Sequence, residues 1–234
     1  DRTQGSIGYW LQNALTNEFE KRNIAKPVIS VVTQVRVDKE DPSFKKPSKP
    51  IGPFYTKEEA DAEAAKDGST YVEDAGRGYR KVVPSPMPKE IVEKEAVRAL
   101  VEADVLTICS GGGGIPVVAE DGQYVGVEAV NDKDFSARVL AENVDADRLI
   151  ILTGVDNIYI NYNQPDQKAL EQISVAEAEE YIKEGHFAAG SMLPKIEAAL
   201  DFVKGDDKRK AIITSIENLE NIDKEAGTVI SQKG

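Results

Sequence analysis

Four consecutive glycines, Gly111 to Gly114, follow Ser110 at the end of the apolar run Val105 to Cys109. Glycine lets a backbone approach a ligand closely, and successive N–H groups in such a turn make a concavity for an anion. Further on, Asp132-Lys133-Asp134 opens a helical pattern, and Pro194-Lys195 opens another after Gly190-Ser191-Met192. A lysine in the first turn opposes the helix dipole and costs about 0.3–1 kcal/mol. Two such lysines imply a negative partner outside their helices. Phosphoryl transfer needs this combination, because lysines and backbone amides meet the charge that develops on the moving phosphate. Asp134 would hold one of these lysines in place, and Asp132 reads as the N-cap. Singly, the glycines also fit a flexible connector and each lysine a solvated helix start; the repetition favours an anion site. Lys49, within Lys49-Pro50-Ile51-Gly52, is a weaker candidate, as are Arg77, Arg80 and Lys81. The glycine run matches neither G-x-x-x-x-G-K-[ST] nor G-x-G-x-x-G.

The 234 residues are 41% hydrophobic and 30% charged, with a net charge of −12. That length fits one large α/β domain or a domain carrying an insertion. The negative field repels nucleic acid and anionic membrane, so neither is an expected partner. An acidic protein acting on an anion needs a local basic pocket. With one cysteine, Cys109, and one histidine, His186, the chain has no intrachain disulfide and no Cys/His zinc site. A Ser–His mechanism lacks its G-x-S-x-G motif. Both residues read as structural, and no metal ligands are expected. No apolar segment approaches the roughly 20 residues that span a bilayer, and Asp1-Arg2-Thr3-Gln4 does not resemble a signal peptide. A reducing, cytoplasmic setting is expected.

The elements that must position these groups follow from periodicity. Ile7, Leu11, Leu15 and Phe19 recur at i+4, one face of a helix. Pro27 introduces VISVVTQVRV, read as one strand. Residues 38–88 hold seven of the eleven prolines, yet also Phe44, Phe54, Tyr55, Tyr71 and Tyr79, enough aromatic surface for an ordered inserted subdomain. Helical periodicity returns from Pro88 to Ala103, and Val105 to Cys109 reads as a strand. Asp121-Gly122 marks a tight hairpin. Arg148 to Val155 is strand-like, Ile158 to Tyr162 shorter, and Ser174 with Glu177 forms a capping box. A long helix begins near Pro194, and strands follow at Lys210 to Thr214 and Gly227 to Ile230. Strands alternating with helices predict an α/β chain with a mainly parallel sheet covered on both faces.

At these residues the sequence resembles the carbamate kinases of the amino-acid-kinase superfamily. The matching strings are TQGSIGYW (Thr3 to Trp10), KPIGPF (Lys49 to Phe54), EDAGRGYRKVVPSP (Glu73 to Pro86) and GGGGIPVV (Gly111 to Val118). GVEAVNDKDF (Gly126 to Phe135), ILTGVDN (Ile151 to Asn157) and GHFAAGSMLPKIEAA (Gly185 to Ala199) continue the match over nearly the whole chain. The resemblance implies an open three-layer αβα sandwich across residues 1–234, with residues 38–88 as a protruding subdomain. It implies a homodimer and the reversible reaction of ATP and carbamate to ADP and carbamoyl phosphate, with Mg²⁺ carried on the nucleotide. In arginine catabolism this runs toward ATP. By resemblance, Lys133 and Lys195 stabilise the transferring phosphoryl group, Asp134 organises them, and Lys49 reaches over from the subdomain. Gly111, Gly112, Gly113 and Gly114 would line the site. Thr153, Gly154, Val155, Asp156, Met192 and Pro194 would surround the nucleotide, with Tyr159 beside its base.

Asn131 stands where the family usually has an aliphatic residue, and Tyr79 where it often has tryptophan. Family members also begin with a V-A-L-G-G-N-A type loop and a later G-N-G-P-Q-V-G loop. Neither string occurs here, so an N-terminally truncated member is expected, lacking part of the sheet and of the site. Two other readings remain: a sister kinase acting on a carboxylate such as acetylglutamate, and a non-catalytic remnant that binds nucleotide or dimerises.

Overall fold

The structure is a computed structural model and describes residues 2–74 and 76–234. Its contacts divide the chain into two compact units, Asp1–Glu93 with Asp104–Lys133, and Lys94–Ala103 with Asp134–Gly234.

The first unit opens with α1 (Arg2–Lys21), then β1 (Val28–Ser30) and β2 (Gln34–Arg36). A helix over Ile7 to Phe19 is observed, with Lys21 in its last turn, where the dipole favours a cation. Gly8 lets α1 lie directly on β1: a Cβ there would fall 2.1 Å from Ser30 Oγ. The single strand expected after Pro27 is broken in two. Thr33 sits at the break, and Gln4 of α1 takes both its backbone groups, accepting from Thr33 N–H at 2.7 Å and donating to Thr33 C=O at 3.2 Å. The Gln4 side chain thus takes the N–H that a neighbouring strand would pair, while Thr33 C=O also accepts from Ile115 N–H at 2.9 Å, and β1 and β2 pair with different partners.

Next come β3 (Lys49–Tyr55), α2 (Lys57–Asp67), β4 (Thr70–Glu73) and β5 (Tyr79–Val83). The three strands form an antiparallel sheet in the order β3-β5-β4. Thr56 and Glu59 close a capping box at the start of α2, and the Tyr55 and Tyr71 rings meet edge-on at 5.6 Å. The residues after Pro88 differ from the expected helix start. They first form β6 (Glu90–Ile91), antiparallel to β2, and only then α3 (Lys94–Glu102). The chain continues through β7 (Leu106–Ile108), β8 (Ile115–Glu120) and β9 (Gln123–Gly126). β7 runs parallel to β1 and β8 parallel to β2. Asp121 (φ 49°) and Gly122 (φ 77°) are both left-handed, the turn whose twist matches a two-residue hairpin between β8 and β9.

The second unit takes α3, α4 (Lys133–Asn143), β10 (Arg148–Thr153), β11 (Ile158–Ile160), β12 (Lys168–Leu170) and β13 (Gln172–Ser174). It ends with α5 (Val175–Lys183), α6 (Leu193–Val203), β14 (Lys210–Ser215) and β15 (Thr228–Ser231). Its main sheet has the order β10-β14-β15-β13, with β10 parallel to β14 and β13 parallel to β15. β14 lies between two strands, and Ala211 to Ser215 are all buried, the near-continuous pattern of a strand covered on both faces. α6 buries Ile196, Leu200, Phe202 and Val203 in the same core as Ile151, Ile213 and Ile230. The capping box at Ser174 and Glu177 is present at the start of α5. Among the described residues, no helix is long and apolar enough to cross a membrane.

Candidate active site

In the first unit the glycine loop joins β7 to β8. Gly111, Gly113 and Gly114 have φ of 48°, 135° and 76°. Ser110 N–H donates to Thr33 Oγ1 at 2.9 Å and Gly113 N–H to Ser110 C=O at 2.9 Å. A Cβ on Gly113 would meet the Asn131 carbonyl oxygen at 2.4 Å, and one on Gly114 would meet Val35 Cγ2 at 2.3 Å. These two glycines are therefore required by the chain's own packing. Gly112 has open space on its Cβ side. Gly111, Gly112 and Gly114 line a cavity of about 660 Å³ with Gln4, Cys109 and Asn131. Their three N–H groups donate to no other described residue.

The same unit brings Lys49 to the segment that opens α4. Lys49 Nζ donates to Asp132 Oδ2 at 2.5 Å, across 83 residues of sequence. Asp132 directly precedes α4, and Lys133 is the exposed first residue of that helix. Arg77 and Arg80, the weaker candidates, flank the Phe54 ring at 4.8 and 5.1 Å and pair with Asp74. Lys81 pairs with Asp67.

Burial of Cys109 pushes its thiol up to about 11. At neutral pH it should carry about a hundredfold less thiolate than a thiol of ordinary pKa. Iodoacetamide is expected to modify it correspondingly slowly at pH 7.5, with the rate still climbing at pH 10. A rate equal to that of free cysteine at pH 7.5 would contradict this desolvation.

In the second unit Lys195 Nζ donates to Asp134 Oδ2 at 2.8 Å. The side chains are 12% and 6% exposed, so this is a buried ion pair. Both belong to the first turn of a helix. α6 begins with Met192 at its N-cap and no side-chain cap, and Pro194 lies at the start of the helix, where its missing N–H costs nothing. Neighbouring residues on a helix do not face each other, so Asp134 turns inward to Lys195 while Lys133 is exposed.

A cleft of about 620 Å³ lies in the same unit. Thr153, Gly154, Val155, Tyr159 and Met192 line it, five of the residues the resemblance assigned to the nucleotide. Asp156 and Pro194 are not in its wall. Asp156 accepts from Ser215 Oγ at 2.5 Å, and Ser215 Oγ accepts from Asn218 N–H, an arrangement that ties the end of β10 to the end of β14. Sequence reasoning missed Tyr162, Phe187 and His186 in the cleft wall. Tyr162 packs on Tyr159 at 5.9 Å. His186, read as structural, meets Glu184 Oε2 at 3.0 Å and the Tyr181 ring at 5.8 Å. The local signal for them is only the aromatic Tyr159/Tyr162 spacing after β10; residues 185–188 arrive from a distant loop.

Residues 54–215 match the model of the amino acid kinase family. Carbamate kinase 1 of Enterococcus faecium is 57% identical over 232 residues, 98% of this chain and 74% of that protein. The structure of Giardia lamblia carbamate kinase bound to citric acid superposes with a TM-score of 0.90 at 42% identity, covering 98% of this chain and 73% of that one. Its counterpart bound to AMP-PNP gives 0.87 at 44% identity, with the same coverage. The chain belongs to the amino acid kinase family, within its carbamate kinase branch.

Proposed function

We propose that this chain catalyses reversible phosphoryl transfer between ATP and carbamate, giving ADP and carbamoyl phosphate, and works in the ATP-forming direction of arginine catabolism. The observation that carries the reading is the buried Lys195–Asp134 pair. An ammonium removed from water and fixed by one carboxylate keeps donors for a second anion. Such a preorganised cation stabilises charge on a moving phosphoryl group without reorganising at the moment of reaction. Lys195 and Lys133 each donate to phosphoryl oxygens, Asp134 orients Lys195, and Lys49 acts from β3. The amides of the glycine loop receive an anionic oxygen. Thr153, Gly154, Val155, Tyr159 and Met192 hold the nucleotide, with Asp156 and Pro194 supporting that region. Mg²⁺ enters on the nucleotide phosphates, as part of the substrate, and neutralises their charge.

The same reading takes residues 38–88 as an inserted subdomain and the working enzyme as a cytoplasmic homodimer. The net charge of −12 argues against nucleic-acid or membrane partners. The test couples ATP formation from ADP and carbamoyl phosphate to a luminescent readout. ATP above the non-enzymatic rate is expected; none would overturn the proposal. ATP-dependent phosphorylation of acetylglutamate, with none of carbamate, would replace it with the sister activity.

A further inference from the structure

Asn131 is 2% exposed, in a position where a buried amide is costly unless both its ends are paired. Only one end is accounted for. Its Nδ2 donates to Gly113 C=O at 3.1 Å, while its Oδ1 is buried with no partner among the described residues. An aliphatic side chain would avoid that cost. The one bond Asn131 makes therefore identifies what the amide is for.

That bond falls on one of the Gly–Gly peptides of the loop. The Gly113–Gly114 unit has glycine on both sides, so neither flanking residue resists rotation of the peptide plane. In a planar trans peptide the C=O and the N–H point in opposite directions. Fixing Gly113 C=O on Asn131 thus fixes Gly114 N–H away from Asn131. Gly114 lines the 660 Å³ cavity, and its N–H donates to no other described residue. The loop is also tied internally, through Gly113 N–H to Ser110 C=O and Ser110 N–H to Thr33 Oγ1. Asn131 is also two residues before Lys133 in the chain, so one side chain links the loop to the lysine segment.

We infer that Asn131 is a positioning residue that locks the Gly113–Gly114 peptide and holds Gly114 N–H as a ready donor to an anionic oxygen of the substrate. The inference rests on the phosphoryl-transfer reading for its substrate, and on the loop geometry for the lock.

The experiment pairs kinetics with amide hydrogen exchange of residues 110–118 in Asn131→Val and Asn131→Asp. Val removes the donor, and Asp places an oxygen opposite Gly113 C=O. In both, exchange of the loop is expected to quicken while the rest of the chain exchanges as in the wild type. kcat should fall by about 10-fold or more, with KM for ADP within about twofold, because a transition-state donor is lost rather than nucleotide binding. Val guards against an Asp variant that fails to fold. Wild-type loop exchange in Asn131→Val overturns the lock, whatever the kinetics. Faster exchange with unchanged kcat overturns the role of Gly114 N–H. A wild-type protein without ATP-forming activity overturns the functional reading, and the exchange result still judges the lock.

Discussion

Lys133→Ala is expected to lower kcat for ATP formation about 10²–10³-fold, the usual effect of removing one donor aimed at developing charge. The substitution should barely disturb the fold. Lys133 is exposed at the first position of α4, where a cation opposes the dipole. Alanine there is a better helix former, so the melting temperature should stay within about 2 °C. KM for ADP should change far less than kcat. Lys133→Arg keeps the charge but not the compact ammonium, and should recover only part of the rate. Steady-state assays alongside a thermal melt check both halves. Wild-type turnover in Lys133→Ala would remove the residue from the mechanism.

Asp134→Ala is expected to injure stability and catalysis together. It strands the Lys195 ammonium at 12% exposure, and breaking a buried pair from one side costs about 3–5 kcal/mol. Urea unfolding should show that loss. Removing both charges, as in Asp134→Ala with Lys195→Met, should restore most of the stability, because apolar replacements of a buried pair are often neutral. It should restore none of the activity. A pair kept only for structure would behave otherwise, with the double variant fully active. A loss of under about 1 kcal/mol in Asp134→Ala would mean that the carboxylate does not carry the lysine.

Local chemistry made much of this legible in advance. The capping box at Ser174 and Glu177, the Asp121-Gly122 hairpin and the lysines opening α4 and α6 depend on residues close in sequence, and all appear where the spacing places them. Pairing partners were not legible. VISVVTQVRV reads as one strand because its β-branched residues are continuous, but Gln4, 29 residues away, captures the Thr33 backbone. β6 forms after Pro88 because Lys89 N–H and Val92 N–H reach the carbonyls of Arg36 and Gln34. No local pattern reports that. For the site, the glycine loop invited a ligand reading, while its closest contacts proved internal, with the Asn131 carbonyl and Val35. The sequence alone does not single out Lys195, 61 residues away, as the partner of Asp134, although adjacency on a helix already disfavours Lys133.

α3 has a further consequence, for the order in which the protein is made. The helix belongs to the second unit, yet the ribosome produces it between two segments of the first. Lys133 is the last residue of the first unit to emerge. The Arg98 guanidinium must wait for its acceptor, the Asn143 carbonyl, 45 residues downstream. At about 5–20 residues per second, that is roughly 2–9 s with Val97 and Leu100 lacking their final cover. Synthesis and folding therefore run out of step at this one helix. Nascent chains that stall between Glu102 and Asn143 present an apolar stripe to chaperones.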